Sequence, residues 1–292
     1  MFAILGITGQ VGGATARALL ADGHAIRAVV RNPAKAANWA ALGAEVAVAE
    51  LTDAAALQAA FTDVEGVLVA TPPLLEVADP LGENHRMVAA LTTALQAAQV
   101  PKVVYLSSVG AQHDHGLGAI GKLYDLEQAF NALPMPTAAI RAAWFMENAR
   151  GLIAHARQTG QVPSLLSPPD RAIPMVATAD IGEVAARTLT EHWAGRRVLE
   201  LGGPCDYSPN DITASLSYLL GQPLRTVVVP PAEHAATYRS WGFSPAAAQL
   251  MTDMIAGFNR GWIDFAHGET EQLAGRTLLE DVLRQCVAAE VV

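Results

Sequence analysis

The sequence predicts an α/β fold: a doubly wound parallel sheet followed by a smaller mixed α/β lobe. Three observations carry this. Over the first ~140 residues, short apolar runs alternate with Ala- and Leu-rich segments of helical spacing, the rhythm of parallel strands joined by crossover helices. A glycine-rich turn follows the first apolar run directly and opens the first helical segment, as the first βα turn of such sheets does. Beyond residue 145 the alternation decays into a Pro-rich stretch and shorter mixed elements, which suits an appended lobe that covers a substrate.

The first strand reads at residues 2–7 and is apolar throughout, as a strand covered on both faces has to be. Further strands read at 25–30, 44–49, 66–70, 103–106 and 137–140. Helices with few breakers fall between them at 11–21, 34–42, 54–61, 82–98 and 120–132. In such a sheet the ligand lies at the carboxyl ends of the strands, near the point where strand order reverses. The loops after strands one, two, four and five are therefore where functional groups are sought. Past residue 145 the sequence predicts a helix over 145–158, a Pro-rich stretch over 163–174 and a helix over 181–192 capped by Asp180. A strand over 198–201, a helix after Ser208-Pro209, a strand over 224–229 and helices near 245–257 and 278–287 complete the chain. The organisation is one unit at residues 1–150 and a smaller lobe at 151–292, packed together without a low-complexity linker or an internal repeat.

Composition narrows the function classes. A chain of 292 residues with 51% hydrophobic content buries one large core or a core with a lobe. A net charge of −9 without any basic run argues against DNA or RNA and favours a small-molecule substrate. Cys205 and Cys286 lie too far apart in sequence to suggest a disulfide framework or a cysteine zinc site, so the cytoplasm is the expected compartment. The apolar start at residues 1–5 has no basic flank and runs at once into a glycine turn, as a mature first strand does. No apolar stretch reaches the ~20 residues of a membrane helix.

The strongest motif is Gly6-Ile7-Thr8-Gly9-Gln10-Val11-Gly12, set between a strand and a helix. Gly6 lets the chain turn, Gly9 lets backbone amides approach a pyrophosphate, and Gly12 lets helix and strand pack closely. The helix amino end adds partial positive charge for the phosphates. Together these features predict a dinucleotide-binding Rossmann unit. At the end of the second strand, where NAD-specific proteins carry an acid, this chain has Arg31-Asn32-Pro33-Ala34-Lys35. A guanidinium there pairs with a 2′-phosphate and points to NADP(H). Asp53 after the third strand has two compatible readings, a hydrogen-bond acceptor for the adenine amine and a cap for the helix at residue 54. Thr71-Pro72-Pro73 after strand four and Ser107-Ser108 after strand five place small groups where a nicotinamide riboside would lie, although turn chemistry alone also favours them.

With these pieces, the chain resembles the NmrA-like branch of the atypical short-chain dehydrogenase/reductase superfamily. The likeness also rests on the segment from Gly23 to Pro33, on Ile140-Arg141 before Trp144-Phe145-Met146-Glu147-Asn148, on Asp180-Ile181-Gly182 and on Leu201-Gly202-Gly203-Pro204. The resemblance implies an NAD(P)-binding Rossmann domain and two readings of function. One is an NADPH-dependent reductase passing hydride to a small electrophilic acceptor such as a quinone or an azo compound. The other is a sensor that binds NADP(H) without turnover and contacts a protein partner. Oligomeric state is left open by either.

The departures from the pattern bear on chemistry. Typical short-chain dehydrogenases use Tyr-x-x-x-Lys as a proton relay, whereas Tyr124 is followed four residues later by Gln128, and Lys122 precedes it. Leu123 stands four residues before Glu127, where related chains place a lysine. Lys122 is one residue away, a rotation of ~100° on a helix. His113 and His115 in the loop after strand five are further proton-donor candidates, and with Asp114 they make only a weak metal pattern, so no metal is expected. Trp144, Phe145 and Asn148 are candidates to line an acceptor pocket, with core packing as the competing reading for the aromatics.

Overall fold

The computed structural model of the chain describes residues 1–268 and 270–290. Strands and helices alternate first as β1 (Phe2–Leu5), α1 (Gln10–Ala21), β2 (Ile26–Val30), α2 (Ala37–Ala41), β3 (Glu45–Val48) and α3 (Ala54–Phe61). The alternation continues with β4 (Gly66–Val69), α4 (Pro80–Ala97), β5 (Val103–Ser108), α5 (Gly121–Asn131) and β6 (Thr137–Ala142). There follow β7 (Trp144–Phe145), a 3-10 stretch at Met146–Leu152, α6 (Ile153–Thr159), β8 (Gln161–Ser164), β9 (Ile173–Val176), α7 (Thr178–Thr190) and β10 (Arg196–Gly202). The last elements are β11 (Asp206–Tyr207), α8 (Pro209–Leu220), β12 (Arg225–Val228), α9 (His234–Ser240), α10 (Pro245–Asn259), β13 (Glu271–Ala274) and α11 (Leu279–Ala289).

Eight strands form one sheet in the order β13-β10-β6-β5-β4-β1-β2-β3, and its pairings are parallel. The chain moves outward from β1 to β3, then returns to place β4 on the other side of β1. That reversal at β1 and β4 is the switch point where ligands bind in doubly wound sheets. Alternation along β1 divides the core: Phe2 and Ile4 face a cluster with Leu19 of α1 and Ile181 of α7, while Ala3 and Leu5 face one with Leu57, Leu91 and Leu126 of α3, α4 and α5. Gly182 lets α7 approach α1, since a Cβ there would lie 2.3 Å from that of Ala14. A third cluster joins Val109, Leu117 and Ile120 after β5 to lobe residues such as Ile153, Leu216, Ile255 and Leu283. Small sheets β11-β9-β7 and β12-β8 shape the lobe. Among the described residues no helix is long and apolar enough to cross a membrane.

Two expectations beyond residue 145 need correction, and one stretch gains strands. The helix expected over 145–158 is a two-residue strand, a 3-10 stretch and the short α6, because Trp144 and Phe145 pair with Met175 and Val176 of β9. The Pro-rich stretch over 163–174 begins in the last two residues of β8 and ends in the first two of β9, strands the sequence reading does not place. Pro163 is tolerated there because β8 pairs on one side only, with β12. Asp180 is not the cap of α7. Its buried carboxylate lies in the first turn and accepts the Arg276 and Thr277 amides at 2.9 and 3.0 Å and the Thr277 hydroxyl at 2.7 Å. The Thr178 amide and hydroxyl at the start of α7 instead donate to Glu147, at 2.8 and 2.6 Å.

Candidate active site

The turn from β1 to α1 is built by close backbone contacts. Gly6 has φ +75°, and a Cβ on it would lie 2.5 Å from the Ala70 carbonyl oxygen at the end of β4. A Cβ on Gly12 would lie 2.3 Å from the Gly6 carbonyl oxygen. Gly9 donates its N–H to Gly6 at 2.9 Å and accepts that of Gly13 at 2.9 Å. As the residue before α1 it supplies no side-chain cap, and the first turn carries no acid. Thr8, Gly9 and Gln10 are exposed, while Val11 and Gly12 are buried behind them. The first-turn amides, which have no acceptor inside a helix, thus face an open cradle suited to an anion. A pyrophosphate fits these residues because the cradle is all backbone.

Arg31, at the end of β2, is exposed. Asn32 accepts the Ala34 N–H at 3.0 Å and so caps the 3-10 turn at Pro33–Ala36, which carries Lys35 at its end. Two cations therefore stand on one short turn beside the cradle strand. Asp53 accepts the Ala55 and Ala56 amides at 3.1 and 3.0 Å, so it caps α3 as one of its two readings required.

On the other side of the switch point, Thr71 and Pro72 are half-buried and Pro73 is exposed. The Pro73 carbonyl accepts the Lys122 ammonium at 2.5 Å. Lys122 is 8% exposed, and burial pushes its pKa down to about 8. Its own carbonyl accepts the buried Asn84 amide at 3.2 Å. The three consecutive side chains of α5 diverge as a helix requires. Lys122 reaches the β4 loop, Leu123 packs on the cluster below the sheet, and Tyr124 packs on the lobe cluster. Tyr124 and Lys122 therefore do not converge.

Ser107 and Ser108 are the last two residues of β5, which runs past the strand end that the sequence predicts; Ser107 is buried and donates its hydroxyl to Glu127 at 2.5 Å. Ser108 is half-buried and donates to the Val109 carbonyl at 3.0 Å. Glu127 also receives the Arg141 guanidinium at 3.0 and 2.7 Å, and Arg141 reaches Glu200 at 3.6 Å. Burial opposes the charge of Arg141, but the hydrogen bonds and charge of Glu127 and the charge of Glu200 outweigh it and raise its pKa. Burial likewise opposes the charge of Glu200, and donors from Gln272, Ala266, Thr270 and His267 overcome it.

His113 stacks on Trp262 at 4.0 Å between ring centres, and its Nε2 lies 3.3 Å from the Gln112 amide nitrogen. His115 is exposed and pairs through Nδ1 with Asp114 at 2.5 Å. Its carbonyl accepts the Trp262 indole N–H at 3.0 Å. The His115 ring also lies tilted over Trp262, 5.0 Å between centres, so both rings meet the segment after α10. Trp144 packs edge-on against Phe258, 5.4 Å between centres, and joins the lobe cluster. Phe145 joins the cluster on α1 and α7, and Asn148 is exposed.

The structure joins Pro73 to Lys122 and Ser107 to Glu127. The Glu127–Arg141–Glu200 network was not anticipated as a unit. Its signal is Arg141 in a strand otherwise apolar or small, since a charge buried there needs partners. Trp262 carries no such signal.

A sequence model of the NmrA-like family matches residues 1–261. The chain is 29% identical to quinone oxidoreductase 2 of Escherichia coli over 263 residues, 89% of each chain. It is 27% identical to the NAD(P)H azoreductase of Xenophilus azovorans over 256 residues, 88% of this chain and 86% of that one. The crystal structure of the E. coli quinone oxidoreductase complexed with NADPH superposes with a TM-score of 0.81 at 26% identity, covering 100% of both chains. The triphenylmethane reductase of Citrobacter shares the fold, with a TM-score of 0.80 at 20% identity over 98% of this chain and 99% of that one.

Proposed function

The chain belongs to the NmrA-like family, and from that premise we propose that it is an NADPH-dependent reductase passing hydride to a small electrophilic acceptor of the quinone type. The observation that carries the reading is the uncapped amino end of α1 at the switch point, in a chain that matches an NADPH-dependent quinone oxidoreductase along its whole length.

Gly6, Gly9 and Gly12, with the backbone of Thr8, Gln10 and Val11, hold the pyrophosphate. Arg31 and Lys35 hold the 2′-phosphate, and Asp53 serves the adenine while capping α3. Thr71, Pro72 and Pro73 with Ser107 and Ser108 frame the nicotinamide riboside. Trp144, Phe145 and Asn148 stand on the acceptor side. NADPH, when bound, supplies a hydride. The protein orients the partners and excludes water. Tyr124 packs against the lobe cluster while Lys122 reaches the Pro73 carbonyl, which supports a reading without a Tyr/Lys proton relay. A quinone fits that arrangement because its oxygen recovers a proton from solvent or from His113 or His115. Free Cys205 and Cys286 suit a reducing compartment such as the cytoplasm.

The test is NADPH oxidation with a panel of quinones, azo dyes and aldehydes beside titrations with NADPH and NADP+. Acceptor-dependent oxidation supports the reductase. Tight binding of both redox states with no oxidation by any acceptor would make the protein a nucleotide sensor instead.

A further inference from the structure

The loop from β4 to α4 carries one strained residue between two anchors. Leu74 lies at φ +58°, the left-handed region that L side chains enter at a cost. The carbonyl before it, Pro73, accepts the buried Lys122 ammonium at 2.5 Å. The carbonyl after it, Leu75, accepts the Ser244 N–H at 2.8 Å, and the Val77 carbonyl accepts the Ser244 hydroxyl at 2.7 Å. Ser244 is itself fixed, because its hydroxyl oxygen accepts the Ala247 N–H at 3.1 Å as the cap of α10. One anchor comes from α5 beside the sheet, the other from the lobe.

Both the left-handed turn and the buried ammonium are unfavourable in isolation. Packing of the loop does little to offset them, since Pro73 is exposed and Leu74 only half-buried. Strained backbone persists where its surroundings over-determine it, and here the surroundings are Lys122 and Ser244. We propose that Lys122 and Ser244 are positioning residues that hold the Leu74 turn in a single conformation at the acceptor side of the site. That the turn faces the acceptor rests on the functional reading above; that these two residues hold it does not.

Amide hydrogen exchange over residues 71–79 tests the holding, and quinone kinetics test its purpose, in Lys122→Met, Lys122→Arg and Ser244→Ala. Exchange in that segment should quicken about tenfold or more in Lys122→Met and Ser244→Ala. In Lys122→Met, kcat/KM for the quinone should fall about tenfold or more, as small misplacements at a reacting centre do. Its NADPH dissociation constant should rise by less than kcat/KM falls, and its melting temperature at neutral pH should not fall, because a buried ammonium has been removed. Lys122→Arg should recover most of both losses. Activity lost without stability lost is a pattern that a merely structural lysine does not produce. Unchanged exchange in Lys122→Met and Ser244→Ala overturns the proposal whatever the kinetics, and faster exchange with unchanged kcat/KM overturns the positioning role. If the wild type reduces no quinone, the functional reading fails, and the exchange data alone decide whether Lys122 and Ser244 hold the loop.

Discussion

Arg141 and Glu127 meet as a two-pronged ion pair under the carboxyl edge of the sheet, Nε to Oε1 at 3.0 Å and Nη2 to Oε2 at 2.7 Å, both buried. Glu127 stands on α5 and Arg141 on β6. Through Ser107 and Glu200 the pair reaches β5 and β10. Four elements that flank the site are thereby set at one level by charge.

Breaking that pair from one side should be costly. Arg141→Met leaves Glu127 and Glu200 buried and facing an apolar group, a change that typically destabilises by ~3–5 kcal/mol. Glu127→Gln retains a carbonyl for Arg141 and should cost about 1.5–3 kcal/mol, the range for a charge-assisted hydrogen bond. Urea unfolding of both variants measures the difference. An Arg141→Met protein as stable as the wild type would show that the network carries no weight in the fold.

Gly9 and Gly12 should respond differently to an added side chain. Gly9 has φ −88° and ψ 175°, a conformation open to any residue, and a Cβ there meets only the Gly6 carbonyl oxygen, at 3.2 Å. Gly9→Val should therefore melt near the wild type yet lose nucleotide binding, because its isopropyl group fills the anion cradle. Gly12→Ala places its Cβ 2.3 Å from backbone and should lower the melting temperature itself. Nucleotide titration beside thermal melts reads both effects. Unchanged NADPH affinity in Gly9→Val would remove the cradle from the site.

Lys122 gives a pH dependence whose sign follows from burial. Its pKa falls from 10.5 in the unfolded chain to about 8 in the folded protein. Between those pH values the unfolded chain binds the extra proton, so stability rises with pH across the window. Below pH 8 both states are protonated and the full penalty of burying the charge applies, ~3 kcal/mol for a shift of this size. The stability of the wild type relative to Lys122→Met should thus rise from pH 8 to pH 10 in parallel unfolding experiments. A constant difference would mean that the ammonium is solvated well enough to keep its ordinary pKa.

The parts of the molecule legible in the sequence are those fixed by local pattern. The six strands of the first half, the glycine turn and the Asp53 cap each follow from residues within a few positions of one another, where period, turn chemistry and capping act. What escaped depends on partners distant in the chain. Trp144 and Phe145 have helical spacing with their neighbours and become a strand only because β9, some thirty residues on, supplies the pairing. Asp180 has the composition of a cap, but Arg276 and Thr277 claim it from across the fold. Lys122, a catalytic candidate by residue type, stands one position away from the lysine of related chains. The rotation that removes it from that role also aims it at Pro73, a contact across 49 residues of chain.

On the function proposed above, coenzyme choice falls to Arg31, which stands exposed at the end of β2 where an acid would select NAD. Lys35 follows on the 3-10 turn that Asn32 caps, so the backbone between the two cations is held in one geometry. A charge-assisted contact to a 2′-phosphate contributes roughly 1.5–3 kcal/mol, about a ten- to hundredfold preference in dissociation constant. NADPH should therefore bind more tightly than NADH. Arg31→Ala should erase most of that gap by weakening NADPH while leaving NADH nearly unchanged, because only the phosphorylated ribose presents the negative charge. Lys35→Ala should remove a smaller share, since an ammonium meets a phosphate as a point charge without the two-pronged fit of a guanidinium. Raising the salt concentration should narrow the preference as well, because both cations are open to solvent and screened. Titration of wild type and variants with both nucleotides at two salt concentrations gives every term. Equal affinity of the wild type for the two nucleotides, or an Arg31→Ala variant that weakens both alike, would show that this turn does not read the phosphate.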